Sequence, residues 1–408
     1  MEPHLCGDDY RFSTGCHASQ IAVPWNSGVR TVKSRRTCLY RICGLAAIAI
    51  FLPVATVHGM EVPGLISRDF LYEKASFPEC HASTIAETPE GLIAAWFGGT
   101  EEKHPDVGIW ISHFRNKQWS APEEVATGVQ YVRTDGSVYR HPTWNPVLFQ
   151  YPEGPLVLYW KCGPDPASWW GMMSMSGDHG KTWTPPCRLP EHIDGPVRNK
   201  PVLLRDGTLL CGSSTESDGW RVHFERTADF GRTWQRTAAI HDGKAIGAIQ
   251  PTLLTHPDGT IQALCRNQNG SGQILSTSSG DGGLTWTELE PTVLPNPNSG
   301  IDAVTLKSGS HLLVYNHTWR GKGTPQGREM INLASSEDGQ TWKAALTLEH
   351  EAKSEFSYPA IIQTADGLVH ITYTWKRQRI VHAVVDPQKL SAKDIVDGQW
   401  PEDVPAVR

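Results

Sequence analysis

The feature that most constrains the fold of this chain is an eight-residue motif that recurs along it. Each copy has a Ser or Thr, an acidic residue two positions later, a Gly two positions after that, and Thr-Trp at its end. The copies occupy residues 176–183, 227–234, 279–286 and 335–342, and a degenerate fifth ends at Trp119. In the fourth copy this alignment puts Glu337 where the others have Asp. Repetition at roughly 50-residue spacing is typical of propellers, solenoids and arrays.

The residue types in the motif indicate a turn that holds neighbouring units together. An Asp carboxylate accepts hydrogen bonds from backbone amides just ahead of it and so closes a tight turn. The Gly supplies a backbone conformation that a side chain disfavours, and the Trp buries a large face. We therefore read these Asp boxes as markers of the fold and not as the site of chemistry.

A second repeat supports the first. Six segments share a polar residue, often followed by Pro, then a short apolar run, a turn with Gly and a second apolar run. The polar residues are His81, Asn145, Lys200, Gln250, Asp302 and Tyr358. Apolar runs joined by such turns are hairpin signals. Six hairpins, each followed by a strand-like stretch, predict an all-β fold, a six-bladed β-propeller with four strands in each blade.

The amino-terminal 59 residues differ in kind from the rest. Arg35, Arg36 and Arg41 precede a short apolar run over residues 42–57, which is the pattern of an export signal. The run is short for a membrane span, and the sequence leaves open whether it is removed or kept as an anchor. We expect a secreted or periplasmic protein with an extension over 1–59, a propeller over 60–392 and a carboxyl-terminal tail over 393–408.

Composition narrows the partners. The net charge is −6 and there is no long basic run, which argues against a nucleic-acid partner. The sequence has no P-loop, dinucleotide fingerprint or HExxH motif, so we predict no cofactor and no catalytic metal. A structural Ca²⁺ is left open, although no clustered carboxylate loop demands one. We expect a monomer that acts on a glycan and meets a membrane only through its amino terminus.

Polar residues converge on one face of the predicted propeller. The innermost strand of each blade begins at one face of the propeller, and the second strand ends at the same face. Residues at the starts of the first strands and at the ends of the second strands therefore meet there. The strand starts are the six polar residues named above. The second-strand ends, with the loop after the first of them, supply Glu101, Glu102, Asp106, Lys161, Glu216, Arg266, Asn316 and Arg377. Many titratable groups on one concave surface form the default hypothesis for an active site.

The Asp boxes, the six blades and several of these residues resemble the sialidase superfamily, the Asp-box (BNR) neuraminidase-like glycosidases, over about residues 65–390. The segments His81-Ala-Ser-Thr, 296–302 and Ser357-Tyr358-Pro359 are similar to those of secreted predicted sialidases. The resemblance implies an exo-glycosidase in which Tyr358 is the nucleophile. Tyr nucleophiles are a known exception among glycosidases.

The resemblance also implies roles for the charged residues. Arg266 and Arg328 match the second and third members of the family's Arg triad, whose planar forks bind a carboxylate. The acid is expected from Glu101, Glu102 or Asp106, and His81 with Asp302 is expected to orient Tyr358 or a water. The expected substrate contacts are completed by Lys161, Lys200, Asn145, Gln250 and Asn316.

Two positions depart from the family pattern. His81 stands where the first Arg of the triad belongs, and Gln250 stands where a Glu would accept a proton from the Tyr. Because Gln cannot take a proton, the sequence leaves open whether the sugar is sialic acid or another anionic sugar. The cationic residues still favour a negatively charged substrate.

Three functions are therefore weighed. The leading one is an exported, sialidase-like exo-glycosidase that acts on an acidic or decorated glycan. The second is a polysaccharide lyase for uronate-containing glycans, with His81 as base and Tyr358 as acid. The third is a glycan-binding propeller without catalysis, which the Gln250 departure favours.

Overall fold

The computed structural model describes residues 62–268, 272–319 and 327–407, and these form the six-bladed, all-β propeller that the repeats predict. Each blade is an antiparallel meander whose first strand lies innermost. The predicted export segment lies outside the described residues. Within the described ranges, no helix has the length and apolar character needed to cross a membrane.

The first half of the ring follows the predicted order. The chain enters through β1 (Leu65–Phe70), and blades one to three follow with one inserted hairpin, β7–β8. Their strands are β2 (Glu79–Thr88), β3 (Gly91–Gly99), β4 (Gly108–Arg115), β5 (Gln118–Trp119), β6 (Glu123–Ala126), β7 (Val129–Val132), β8 (Val138–Arg140), β9 (Thr143–Gln150), β10 (Leu156–Cys162), β11 (Trp170–Ser176), β12 (Cys187–Arg188), β13 (Val202–Leu203), β14 (Leu209–Thr215), β15 (Arg221–Thr227) and β16 (Gln235–Arg236).

The second half of the ring contains blades four to six and the carboxyl terminus. Its elements are β17 (Ala248–Thr255), β18 (Ile261–Asn267), β19 (Gln273–Ser279), β20 (Glu290–Pro295), β21 (Asp302–Thr305), β22 (His311–Tyr315), β23 (Met330–Ser336), β24 (Lys343–His350), β25 (Phe356–Gln363), β26 (Val369–Trp375), β27 (Arg379–Val385), a 3₁₀ turn (Pro387–Lys389) and β28 (Lys393–Asp394).

The ring closes by pairing its two ends. β1 runs antiparallel to β27, with Leu65 opposite Val385 and Phe70 opposite Val381, and so becomes the fourth strand of blade six. β28, in the segment predicted as a tail, pairs with β24 at the outer edge of blade five. The Trp400 indole donates to Thr347 Oγ1 at 2.9 Å and holds the rest of this segment against the blade.

The Asp boxes act as the predicted turns. In the third box, Asp281 accepts from Thr285 N at 2.9 Å and from Ser279 Oγ at 2.8 Å. The Trp286 indole donates to the Gly283 carbonyl at 3.1 Å, and its ring stacks on Phe224 of the preceding blade at 3.6 Å. The boxes therefore join blades at the face opposite the strand starts, because each box follows the third strand of its blade.

The fourth box corrects the register that the alignment gave. Its carboxylate is Asp338, not Glu337: Asp338 accepts from Ser336 Oγ at 3.0 Å and from Thr341 N at 2.6 Å. One residue fewer separates the carboxylate from Gly339, so the turn is tighter but keeps the same bonds. Matching Ser335 instead of Ser336 produced the wrong assignment.

This register predicts different stabilities for two neighbouring substitutions. Asp338→Ala removes hydrogen bonds to Ser336, Gln340 and Thr341, and we expect it to lower the free energy of unfolding by about 1–2 kcal/mol, discounted for the exposure of the turn. Glu337→Ala, the matched control, should change it by less than about 0.5 kcal/mol. Denaturant unfolding of both variants measures the difference. Equal losses would refute the register.

The effect of Asp338 on stability should depend on pH. Burial alone would raise the pKa of the Asp338 carboxyl, but the hydrogen bonds from Thr341 and Gln340 outweigh it and lower the pKa to about 2. A pKa that is lower in the folded state stabilises the protein above the unfolded value of about 3.9. The difference between wild type and Asp338→Ala should therefore be full above about pH 4 and shrink towards about pH 2.

Candidate functional site

Strained backbone positions mark the start of the inner strands. Ala82, Asn145, Arg198, Gln250 and Tyr358 have φ angles of 54°, 39°, 73°, 56° and 52°. All of them except Arg198 lie in bulges of β2, β9, β17 and β25, where the pairing with the next strand is interrupted. Bulges redirect side chains and are common beside active sites, where strain of this kind also collects. They surround the mouth of the channel at the face where the second strands end.

Tyr358 lies at the centre of this face. Arg266 Nη1 donates to the Tyr358 hydroxyl at 2.6 Å and to Gln250 Oε1 at 3.3 Å. Arg266 Nε donates to Asn298 Oδ1 at 2.8 Å, which fixes the plane of the guanidinium. The phenol is only partly buried, whereas Arg266 is almost fully buried. The hydroxyl is thus held by a fixed cation at an accessible surface.

Further guanidinium groups surround the same ring. The guanidinium carbons of Arg198, Arg266 and Arg328 lie 5.3, 5.5 and 5.4 Å from the centroid of the Tyr358 ring. Arg198 is buried and donates to the Ile301 carbonyl at 3.0 Å and to the Pro359 carbonyl. It therefore joins blades three, five and six beneath the site.

Glu355 holds two more cations in place. Its Oε1 accepts from Arg328 Nη1 at 2.9 Å, from Arg377 Nε at 3.0 Å and from Ser357 Oγ at 3.0 Å. Burial would raise the pKa of the Glu355 carboxyl, but Arg377 and Arg328 outweigh it and the pKa is lowered. The ionised carboxylate orients both arginines beside Tyr358.

The cations change the acidity of the phenol. Burial raises the pKa of Tyr358, but the charges of Arg266, Arg328 and Arg377 more than offset this, and the pKa lies below its ordinary value. A cation next to a phenol stabilises the phenolate. Tyr358 therefore gives up its proton more readily than an ordinary tyrosine does.

His81 also contacts the Tyr358 ring. The two ring centroids are 4.0 Å apart, and His81 Nδ1 is bonded to Thr374 Oγ1 at 3.0 Å. Burial, followed by Arg377 and Arg328, lowers the pKa of His81 well below its usual value. The imidazole is neutral and a weak base, which disfavours the role that a lyase would require of it.

The predicted acids lie at the edge of the site in different states. Glu102 pairs with Arg377, and Glu101 lines the small hollow that also contains His81 and Arg377. Asp106 accepts from Thr100 Oγ1 at 2.6 Å and lies 2.7 Å from His104. Burial would raise the pKa of the Asp106 carboxyl, but these bonds outweigh burial and lower the pKa. This carboxyl therefore holds its proton poorly.

Glu216 is a carboxyl of the opposite kind. It follows the second strand of blade three, near Arg266, and lines a cleft on the same face. Burial raises its pKa, with further contributions from the charges of Glu102 and Asp165, while Arg266 acts in the other direction. A carboxyl with a raised pKa keeps its proton at higher pH and can donate it.

Asp302 and Lys200 contact each other below the mouth of the channel. Lys200 Nζ donates to Asp302 Oδ2 at 3.0 Å and to the Ala303 carbonyl at 2.7 Å. Asp302 also accepts from Thr252 Oγ1 at 2.7 Å and from Ile361 N at 2.9 Å. These bonds connect blades three to six. The described contacts of Lys200 and Asp302 therefore hold the inner strands of different blades together.

The remaining predicted contacts divide between the rim and the interior. Gln250 touches Arg266, and Asn145 has the same strained geometry in blade two. Asn316 is fully buried and donates to the carbonyls of Met330 and Phe356 at 2.5 and 2.7 Å, which ties blade five to blade six.

Lys161 belongs to a separate buried charge cluster between blades two and three. Its Nζ donates to the Pro196 carbonyl at 2.9 Å, and burial lowers its pKa to about 8 against the charges of Asp194 and Glu225. Asp194, His223 and Glu225 offer ligand atoms within 4.8 Å of one another, a spacing that could hold a metal ion. The Lys161 ammonium already supplies positive charge to these carboxylates.

The site also contains residues that are not predicted from the sequence. Arg198 occupies the inward position predicted for Lys200, and Glu355 is not among the predicted residues. The spacing to Pro explains the difference. The strained residues Asn145, Gln250 and Tyr358 each directly precede Pro, whereas Pro201 lies three residues beyond the strained Arg198. Alignment on the Pro therefore selected the wrong residue of blade three.

Comparisons with known proteins agree with this fold. The family model described as a BNR repeat-like domain matches residues 90–371. A curated protein named Sialidase from Bacteroides fragilis is 22% identical over 246 residues, which cover 55% of this chain and 42% of that protein. The match thus spans less than half of that relative.

Solved structures extend the comparison. The NanB sialidase of Streptococcus pneumoniae, in complex with 2-[(3-chlorobenzyl)ammonio]ethanesulfonate, aligns with a TM-score of 0.63 at 13% identity, over 79% of this chain and 71% of that one. An α-L-arabinanase of Penicillium chrysogenum, complexed with arabinobiose, aligns with a TM-score of 0.57 at 17% identity, over 81% and 100%. At these identities the likeness shows a common fold.

Proposed function

Because this chain belongs to the BNR repeat-like domain family, whose match covers most of its propeller, we propose that it is an exported glycoside hydrolase of the sialidase type that removes an anionic sugar from a glycan. The observation that carries the proposal is the Tyr358 hydroxyl, partly accessible and held at 2.6 Å by Arg266 within a group of arginines. The similarity to sialidases and to an arabinanase supports the reaction class.

The arginines are the binding site for the negative charge of the sugar. Arg266, Arg328 and Arg377 surround Tyr358, and Glu355 neutralises only part of their charge. Guanidinium groups match a carboxylate through paired hydrogen bonds. Arg377, from the turn after β26, supplies a cation near His81, which stands where the first Arg of the family's triad would be.

Tyr358 acts as the nucleophile in a two-step displacement. Its oxygen forms a bond to the anomeric carbon while the bond from that carbon to the leaving oxygen breaks. A water then attacks the same carbon and releases the phenolate. A Tyr nucleophile needs activation because an ordinary phenol has a pKa near 10. The arginines support this activation by lowering the pKa of Tyr358, and in the proposed step Tyr358 reacts as the phenolate, for which Gln250 accepts no proton.

Glu216 is the acid of the first step and the base of the second. Its proton passes to the leaving oxygen as the glycosidic bond breaks, and its carboxylate later takes a proton from the attacking water. Its raised pKa and its place between Arg266 and the cleft support this role. Glu101, Glu102 and Asp106 remain the alternatives that the family pattern suggests.

The other predicted residues support these groups. The neutral His81 ring packs on Tyr358, and Asp302 with Lys200 holds the inner strands beneath it. Asn145 and Gln250 border the sugar, while Lys161 and Asn316 stabilise neighbouring blades. We propose no cofactor, no nucleic-acid partner and a monomeric state.

The test is to incubate the purified protein with sialosides, uronate polysaccharides and sulfated glycans. Reducing ends and ultraviolet-absorbing unsaturated products are measured on the same samples. New reducing ends without absorbance identify a hydrolase and name its sugar. Absorbance would reassign the protein to the lyases, and reversible binding without any product would point to a binding propeller.

Substitution of Glu216 tests the acid. We expect Glu216→Gln to lower kcat by roughly 10²–10³-fold for substrates with a sugar leaving group. The loss should be much smaller for a 4-methylumbelliferyl glycoside, since its leaving group departs without a proton. Asp106→Asn and Glu101→Gln are the matched variants and should show no such dependence. If Asp106→Asn instead shows it, Asp106 is the acid.

A further inference from the structure

A cleft of about 240 Å³ opens beside Glu216 on the same face as Tyr358. Its floor and walls include Trp169, Trp170, Asp194 and Thr215, from the facing edges of blades two and three. Typical ligand pockets are about 300–1,000 Å³, so this cleft has the size for a single sugar ring. It combines aromatic faces with hydroxyl and carboxylate groups, which suit the two sides of a sugar.

The cleft lies next to the proposed active site. Glu216 lies on its wall and is close enough to Arg266 for the two charges to interact. Buried aromatic packing lies beneath the two places: His81 beside Tyr358 touches Phe97, Phe97 touches Trp144, and Trp144 touches Trp169 at 5.7, 6.2 and 6.0 Å between centroids. A group leaving from the anomeric carbon past Glu216 would enter this cleft.

A row of aromatic rings leads from the cleft onto the inserted hairpin β7–β8. Trp170 contacts His141, His141 contacts Tyr139, and Tyr139 stacks on Tyr131, with centroid distances of 5.6, 5.1 and 5.0 Å. We call these four residues the aromatic row. Tyr131 is 50% exposed.

The hairpin is unusual for its apolar exposure. Val132 and Val138 are 63% and 48% exposed and pair on one face of a short two-stranded sheet, while the paired Tyr131 and Tyr139 lie on its other face. The Tyr131–Tyr139 face is joined to the cleft through His141 and Trp170. An occupant of this face would therefore also reach the cleft, which suits the remainder of the glycan chain.

Resting on the proposed function, we propose that the cleft is the leaving-group subsite, that the aromatic row continues it, and that the substrate is an oligosaccharide bearing the anionic sugar at its end. Sugar rings present C–H faces that stack on aromatic side chains and hydroxyl groups that bond polar ones. The enzyme therefore contacts more than one sugar unit and has a higher kcat/KM for an oligosaccharide than for a small glycoside.

The test compares two substrates that share one terminal sugar. The pairs are 4-methylumbelliferyl α-sialoside with a sialylated pentasaccharide, and 4-methylumbelliferyl β-glucuronide with a glucuronate-ended pentasaccharide. The measured quantity is the ratio of kcat/KM for the oligosaccharide to that for the small glycoside. We expect Trp170→Ala, and separately the double variant Tyr131→Ala/Tyr139→Ala, to lower this ratio about tenfold.

A control and a second measurement make each outcome decisive. Phe230→Ala, an aromatic residue 39% exposed in an Asp box on the opposite face, should leave the ratio at the wild-type value. An unchanged ratio in both test variants overturns the subsite while leaving the hydrolase intact. If the wild type cleaves neither pair and releases no reducing ends from the sulfated glycans, the proposed function fails on its own. Calorimetric binding of the pentasaccharides then decides the subsite: a tenfold loss in Trp170→Ala supports it, and absent or unaltered binding refutes it.

Discussion

Tyr358→Phe is expected to lower kcat by roughly 10³-fold or more, because the variant keeps the ring but loses the oxygen that attacks the anomeric carbon. The phenyl ring can still pack on His81, and the inner strand keeps its bulge. The variant should therefore remain folded and still bind the sugar. Single-turnover kinetics with a 4-methylumbelliferyl glycoside would measure the loss.

The control for this variant is Tyr131→Phe, which removes a hydroxyl from a tyrosine on the exposed hairpin. It should retain kcat for the small glycoside. A Tyr358→Phe protein with more than about a tenth of wild-type turnover would rule out the nucleophile role and would favour Tyr358 as a residue that only positions the sugar.

Arg266→Gln is expected to lower kcat/KM by about 10²–10³-fold and to shift its pH dependence. The substitution removes a charged hydrogen bond to Tyr358 and one member of the anion-binding group, and truncating a buried charged pair costs about 2–5 kcal/mol. Since the Arg266 charge lowers the pKa of the phenol, its loss raises that pKa. The rise of kcat/KM with increasing pH should therefore begin at a higher pH in the variant.

The measurement is the pH profile of kcat/KM, which reports the groups of the free enzyme. Arg266→Lys keeps a positive charge but cannot bond Asn298, Gln250 and Tyr358 with one planar fork. It should show a similar loss of kcat/KM with a smaller shift of the profile. A profile that stays in place in Arg266→Gln would mean that Tyr358 does not react as the phenolate.

The blades were predictable because the signals that define them are local. The bonds that Asp281 makes in its box join residues only a few positions apart in sequence, and the hairpin turns are likewise formed by residues close in sequence. Even the misread fourth box was off by a single position. The inserted hairpin β7–β8 carried no comparable repeat, and it was missed.

The site was harder to predict because its geometry depends on contacts between distant segments. Arg377 reaches Glu355 because Lys376 and Arg377 form a turn with φ angles of 52° and 60°. Nothing near Arg377 in sequence announces that geometry. Glu216 was visible as a strand end, but its raised pKa comes from burial by the folded ring. Residue type suggested which groups could react, and folding determines which of them are prepared to do so.

The closure of the ring has a consequence for the order in which the protein is made. β1 is the first described strand to be synthesised, yet it pairs with β27, more than 300 residues later. The earliest strand must therefore wait for nearly the whole polypeptide before its hydrogen bonds can form. Contacts between such distant segments form slowly, and an unpaired strand edge invites association with other chains. A ribosome that stalls before Arg379 leaves blade six without the partner of β1, so synthesis from β27 (Arg379–Val385) onward determines whether a nascent chain becomes a ring or an aggregate.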